Sequence, residues 1–241
     1  MPNLKLENRA VAFIDILGFK QLVERATEDS ESFNFLDDLC NTLKEAVPIL
    51  NGQVSNSVPE QLIPYHTSIS DCLILSAPLT SAKNKDYCGL STLIMRVIQL
   101  TRIFLKQGYL IRGGISIGKV SHNDSNIVGP AYQTAYLIET QTQVPRIELS
   151  KDAENYWLNR YKESNRTCLH YRGRFMVNGL YDYYYQSENN ALDQRVLDPF
   201  KEIINEKINT ETSESIRFKW WWFKEFLNRE EENNPFIIQN I

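Results

Sequence analysis

The chain has 241 residues, 42% of them hydrophobic, with 26 Lys+Arg against 30 Asp+Glu for a formal net charge of −4. That length suits one sizeable domain or a domain plus an extension. Mild acidity offers no basic face to duplex nucleic acid or an anionic membrane, and no apolar run approaches the ~20 residues that span a bilayer. The cysteines Cys40, Cys72, Cys88 and Cys168 are widely spaced, with no CxxC pair, which predicts free thiols in a reducing compartment. The opening "MPNLKLENR" is polar, so no signal peptide is expected and the expected location is the cytoplasm.

In chain order, residues 10–17 predict a first strand. "AVAFIDIL" is apolar on both faces apart from Asp15, which is the pattern of a buried strand. Residues 19–47 carry helical spacing, with "ATEDSES" expected to break or kink the helix and Pro48 to open a loop. "QLIPYHTSIS" and "CLILSAP" predict a hairpin with Ser70-Asp71 at its connection. Residues 88–107 predict a helix stopped by Gly108. "YLIRGGISIGKV" predicts a strand whose paired glycines mark a bulge or a close approach. Gly129-Pro130 opens a further helix, "PRIELS" a strand, "KDAENYWLNRYK" a helix, and "TCLHY" and "RFMVNGLYDYYYQ" late strands. From about residue 190 the pattern is helical to "FKWWWFKEFLN". One helix cannot bury three adjacent tryptophans on one side, so one or more should meet a second subunit or another part of the fold. The strand–helix–strand–strand–helix–strand order is the ferredoxin-like split βαβ plan of an α+β fold. A body at 1–188 and a C-terminal helical extension at 189–241 are expected.

In that plan strand one lies beside the hairpin, which brings Asp15 and Asp71 together although 56 residues (71 − 15) separate them in sequence. Two adjacent carboxylates need a shared proton or a cation between them, and a hard divalent ion with oxygen ligands fits best. Two such ions can clamp the attacking and leaving oxygens of a phosphoryl transfer. Each aspartate can also be read as a cap or turn residue, the plain role of Asp in loops.

"FIDILGF", "SISDCLIL", "IRGGISIG" and "IVGPAYQTAYLIE" resemble, in order, four motifs of the class III nucleotidyl cyclases. These usually read F-x-D-I-x-G-F, a hairpin acid, R-x-G-I-x-x-G, and a strand-turn-helix. The Leu-Gly-Phe-Lys form of the first motif, the compact length and the helical tail are most similar to the bacterial Pycsar pyrimidine cyclases of antiphage defence. The resemblance implies two Mn²⁺ or Mg²⁺ ions per site, on Asp15, Asp71 and the Ile16 carbonyl. It implies that Arg112 reaches the triphosphate, though Arg112 can also be read as a surface salt-bridge residue on its strand, and that the backbone around Phe13, Ile16, Leu17, Gly18 and Phe19 cradles phosphates. Phe19 itself can pack on the sugar or on the core, and the core is the expected place.

Where purine cyclases carry a base-reading lysine and acid, this chain has Thr67 and Asn126, small neutral groups able to serve a pyrimidine edge. Tyr65 and His66 are nearby in sequence, His66 being equally readable as an ordinary strand histidine. On the following helix Gln133 and Leu137 stand where cyclases commonly place Asn and Arg. Arg172 and Arg174 fall roughly where the family has a late phosphate-binding lysine, and can equally be read as part of a solvated loop. The expected activity is conversion of UTP or CTP to its 3′,5′-cyclic nucleotide and pyrophosphate. The expected assembly is a homodimer with its sites at the interface, signalling to a downstream effector, with no nucleic-acid or membrane partner. Competing readings are a non-catalytic nucleotide sensor, a purine cyclase and a palm-type polymerase or diguanylate cyclase relative. The last is disfavoured because residues 69–72 read "ISDC" rather than a G-G-[DE]-E-F hairpin.

Overall fold

The computed structural model describes residues 4–123, 126–161, 166–181 and 194–233. Strand β1 (Glu7–Ile16) lies between β3 (Cys72–Pro78) and β4 (Ile111–Asn123), antiparallel to both. With β2 (Tyr65–Ile69), β6 (Ile147–Leu149), β7 (Cys168–Tyr171) and β8 (Arg174–Val177), the sheet order is β2-β3-β1-β4-β6-β8-β7, and β5 (Asn126–Val128) pairs β4 off this path. Helix α4 (Pro130–Gln141) is the crossover between the parallel strands β4 and β6. The expected α+β split βαβ plan is the one observed.

Successive side chains alternate across a strand, so β1 feeds two cores. Ala10, Ala12, Ile14 and Ile16 pack beneath α2 (Ser30–Gly52), α3 (Gly89–Lys106) and α5 (Lys151–Tyr161). Val11 and Phe13 face the other way and pack with Ile74, Ala131 and Ala135 under α4. Asp15 ends this second face.

The helical segment does break in "ATEDSES": α1 (Phe19–Ala26) stops, and Asp29 caps α2 by accepting the Ser32 N–H at 2.7 Å. The loop expected at Pro48 is corrected. Helix α2 continues through Pro48 to Gly52, because Ala46, Val47 and Leu50 are buried on either side of the proline and their packing offsets its lost hydrogen bond. The strand expected from Gln61 starts at Tyr65, after a 3₁₀ turn over Glu60–Leu62. The late strand ends at Val177, where the fully buried Asn178 side chain accepts the Leu180 N–H at 3.1 Å and turns the chain out of the sheet. Residues 182–186 of that expected strand, the expected 188/189 boundary and the helical start at 190–193 lie outside the described residues.

Helices α6 (Gln194–Thr210) and α7 (Glu214–Asn233) share one apolar cluster with Leu17, Leu105, Leu110, Tyr171 and Met176. Trp220 and Trp222 are buried there, within their own chain, while Trp221 is 47% exposed beside Lys224. The α7 backbone is pinned by Glu230, which takes hydrogen bonds from Asn178 Nδ2 at 2.8 Å and Arg166 at 3.0 Å.

The glycine pair in β4 marks close approach rather than a bulge. A Cβ on Gly114 would stand 2.6 Å from Ile138 Cβ and against the Ala135 carbonyl, and one on Gly113 would meet the Phe13 carbonyl. Gly114→Ala is therefore expected to push α4 off the sheet and cost about 1–3 kcal/mol by overpacking, read as a lowered urea midpoint. An unchanged midpoint would show that α4 is not seated on this glycine.

Candidate active site

Asp15 pairs in register with Cys72 on one side and Arg112 on the other. Asp71 is delivered by the two-residue turn before β3, in which Ser70 holds a left-handed φ of 55°. The Asp71 carbonyl accepts the Ile16 N–H at 3.2 Å, which ties the turn to the end of β1. The Asp15 and Asp71 carboxylates and Cys72 Sγ thereby offer ligand atoms that all lie within 4.8 Å of one another.

Arg112 organises the acids. Its Nε donates to Asp15 Oδ2 at 2.8 Å and an Nη to the Thr142 carbonyl at 2.9 Å. Its other Nη lies 2.8 Å from Glu139 Oε1, an ion pair in distance without a well-aligned hydrogen bond. Glu139 sits on the sheet-facing stripe Ala131–Ala135–Glu139 of α4 and is buried. One guanidinium thus serves two buried acids with Asp71 close by, and the negative charge exceeds what it neutralises. Burial pushes the Asp15 carboxyl up to about 6, with Arg112 opposing and the charges of Glu139 and Asp71 adding. Glu139 is raised too, chiefly by burial. Burial and the neighbouring acids push the Cys72 thiol up to about 12. It therefore remains a neutral thiol, and the charged donors of the cluster are carboxylate oxygens. That donor set and its surplus charge fit a hard divalent cation.

The other predicted residues fall in three groups. At the end of β1, Leu17 donates its N–H to the Leu110 carbonyl at 2.9 Å, and Gly18, at φ 90°, starts α1 without a side-chain cap. Phe19 packs against the main core. Phe13 is mid-strand, its backbone paired between Ile74 and Gly114 and its ring 5.3 Å from that of Tyr136. On β2, Thr67 shares a face with Tyr65, and its Oγ1 lies 3.0 Å from His122 Nε2. His66 alternates to the opposite face, half-buried, its pKa lowered by burial. Asn126 is exposed at the β4–β5 turn, bonded through its N–H to the Asn123 side chain at 3.0 Å. Gln133 and Leu137 are exposed on α4, away from the sheet-facing stripe. Arg174 pairs with Glu148 at 3.1 Å, and the Arg172 guanidinium lies over the Tyr171 ring, on the β7–β8 hairpin at the far edge of the sheet.

Three residues escaped the sequence reading. Glu139 carried a signal, the i, i+4 spacing from Ala131 and Ala135. Cys72 adjoins the turn acid but is a plain strand residue in sequence. His122, held between Thr67 and Ser76 (Nδ1 to Oγ 2.7 Å), had none, because the partners lie on two other strands.

No family model matches the chain, and no curated protein matches it. Solved structures resemble it in fold. The catalytic core of a rhodopsin-guanylyl cyclase with converted specificity, in complex with ATPαS, matches with a TM-score of 0.50 at 17% identity over 73% of this chain and 98% of that one. The adenylyl cyclase CyaB from P. aeruginosa gives 0.48 at 17% identity over 72% and 94%. An adenylate/guanylate cyclase/hydrolase from Silicibacter pomeroyi gives 0.45 at 15% over 72% and 95%. The chain has the fold of a class III cyclase catalytic domain, with C-terminal helices packed on it. No described helix is long and apolar enough to cross a membrane.

The charge surplus makes a prediction for the metal-free chain. The Asp15 pKa is raised from 3.8 in the unfolded chain to about 6 in the fold. The folded state therefore binds the extra proton between those values, and the stability associated with it is present below pH ~4 and lost as pH rises through ~6. Asp15→Asn should flatten this slope and leave the chain at pH 7.5 as stable as the parent, or more stable by on the order of 1–3 kcal/mol. Urea titrations at pH 4.5 and 7.5 measure it. A strongly destabilised variant at pH 7.5 would make Asp15 a structural ion-pair residue instead.

Proposed function

We propose that this chain is a nucleotidyl cyclase that converts UTP or CTP to the 3′,5′-cyclic nucleotide and pyrophosphate, as a second-messenger source in antiphage defence. The observation that carries the reading is the meeting of Asp15 and Asp71 within 4.8 Å at the ends of adjoining central elements. Residues 1–188 form the catalytic unit and 189–241 its extension. Asp15, Asp71 and the Ile16 carbonyl would hold two Mn²⁺ or Mg²⁺ ions. Bound there, the ions supply charge neutralisation at the triphosphate and a lowered pKa for the ribose 3′-hydroxyl.

In the reaction the 3′-oxygen bonds to the α-phosphorus, the bond to the β-phosphate bridging oxygen breaks, and the hydroxyl proton leaves to solvent. The chain's own residues position the substrate. Two of the five N–H donors of Arg112 are hydrogen-bonded, to Asp15 and the Thr142 carbonyl, and an Nη pairs in charge with Glu139, among the described residues. The remaining donors are suited to phosphate oxygens. The uncapped start of α1 at Gly18 offers first-turn N–H groups to the same phosphates. Thr67, held by His122, and Asn126 read the base as neutral hydrogen-bonding groups. Ile69 (60% exposed) on β2 and Leu137 (54% exposed) on α4 leave apolar surface around the site. This supports a homodimer in which the second copy closes each site and contributes Gln133. The product acts on a separate effector.

A purine cyclase is the second reading, favoured by the likeness to a guanylyl cyclase core bound to ATPαS. A nucleotide sensor is the third, favoured by exposed Leu137 where turnover would use a cation.

Incubation with ATP, GTP, CTP and UTP plus Mn²⁺ or Mg²⁺, followed by mass spectrometry, separates these readings. Cyclic UMP or cyclic CMP is expected; cyclic AMP or GMP overturns the pyrimidine assignment, and nucleotide binding without product favours the sensor. Asp15→Asn and Asp71→Asn should each lower turnover by on the order of 10²-fold or more and abolish the rise in melting temperature that Mn²⁺ gives the parent. Parental activity in either variant would remove that acid from the metal site.

A further inference from the structure

Helix α7 carries a cation, Lys219, to the turn between β1 and α1, two residues beyond Asp15. Glu230, locked by Asn178 and Arg166, fixes the helix, and Ile216, Trp220, Phe223 and Phe226 bury its inner side. Lys219 lies eleven residues before Glu230 (230 − 219), three turns at ~3.6 residues each, and so projects from the same side of the helix. There it lines a cavity of about 320 Å³ with Leu17 and Gly18, the two residues that join β1 to α1. Arg25 and Lys207 share the wall, with Glu31 and Glu211.

Of the other α7 cations, Lys224 and Arg229 have partners, while Arg217 does not line this cavity. Lys224 donates to Asn205 Oδ1 at 2.9 Å, and Arg229 lies over Tyr171 at 4.8 Å. Among the described residues no carboxylate lies within ion-pair distance of Lys219, although the side chain is half-buried. Its pKa is lowered by burial first and by the Arg112 charge second, with Asp15 opposing. A partly desolvated ammonium without a counter-ion favours any anion that reaches it.

We propose that Lys219 binds the phosphate tail of the substrate, so that the C-terminal helix supplies part of the triphosphate site beside the turn at Gly18 and the acids Asp15 and Asp71. The proposal rests on the triphosphate reading of the site. Lys219 is a positioning residue for the leaving pyrophosphate: it contributes charge to the β- and γ-phosphates and takes no part in choosing the base. It also gives the extension a function, since α7 must be docked for the site to be complete.

The test uses the full chain with Lys219→Gln and Lys219→Arg. In the parent, Mn²⁺ with tripolyphosphate is expected to raise the melting temperature beyond Mn²⁺ alone. Lys219→Gln should weaken that tripolyphosphate affinity about 10-fold or more, raise KM for the nucleoside triphosphate similarly, and leave the ranking of the four bases unchanged. Lys219→Arg should restore most of the affinity, which a loss of packing would not do. Parental tripolyphosphate affinity in Lys219→Gln overturns the proposal, and so does no tripolyphosphate binding by the parent. If the parent makes no cyclic product, the cyclase reading fails by itself; the tripolyphosphate comparison still decides Lys219.

Discussion

One guanidinium holds the site together. Arg112 reaches Asp15 on β1, Glu139 on α4 and the Thr142 carbonyl just beyond α4. A buried carboxylate without a partner is expensive, and here two of them converge. The sheet can carry Asp15 at the end of an otherwise apolar strand because Arg112 stands opposite it in register. Glu139 can come close because Gly114 presents no side chain between β4 and α4. The arrangement still leaves a net negative charge once Asp71 is counted. That surplus marks the difference between a structural ion pair, which balances, and a site prepared for a cation.

The second constraint is the docking of the tail. Helices α6 and α7 cover apolar residues at the loop ends of β1, α3 and β4, among them Leu17, Leu105 and Leu110. Two of the three adjacent tryptophans, Trp220 and Trp222, fill that seam, and Trp221 remains at the surface. A helix with apolar residues on more than one side usually belongs to a core or an interface. In this chain the seam is intramolecular, and it places α7 beside the turn that starts α1. Stability of the tail and geometry of the site are therefore coupled through the same residues.

Much of this was legible in the sequence. A short run apolar on both faces, read as a strand, is a buried one, so β1 and its lone acid stood out. The hairpin carrying Asp71 was marked by two β-rich runs around a two-residue connection. The break before α2 was visible in the acid-rich "ATEDSES", and the structure supplies its detail, Asp29 capping α2 at the Ser32 N–H. Pro48 misled, because local propensity favoured a stop while the burial of Val47 and Leu50, a tertiary effect, carried the helix onward. The strand expected beyond Val177 failed for a local reason instead, since the Asn178 side chain accepts the Leu180 N–H and turns the chain out of the sheet.

By itself the sequence determined which strands are buried, the order of elements and hence the plan of the sheet, and the presence of two acids at adjoining strand ends. Periodicity and turn chemistry are local properties, and they suffice for that. Tertiary structure decided which groups complete the site. Glu139, Cys72 and His122 acquire their roles from neighbours on other elements. Lys219 lies 204 positions beyond Asp15 (219 − 15), and only the packing of α7 against the body brings it to the cavity at Leu17 and Gly18. Electrostatic partnership depends on distance through space, which one-dimensional spacing encodes only when both partners share a helix, a strand or a turn.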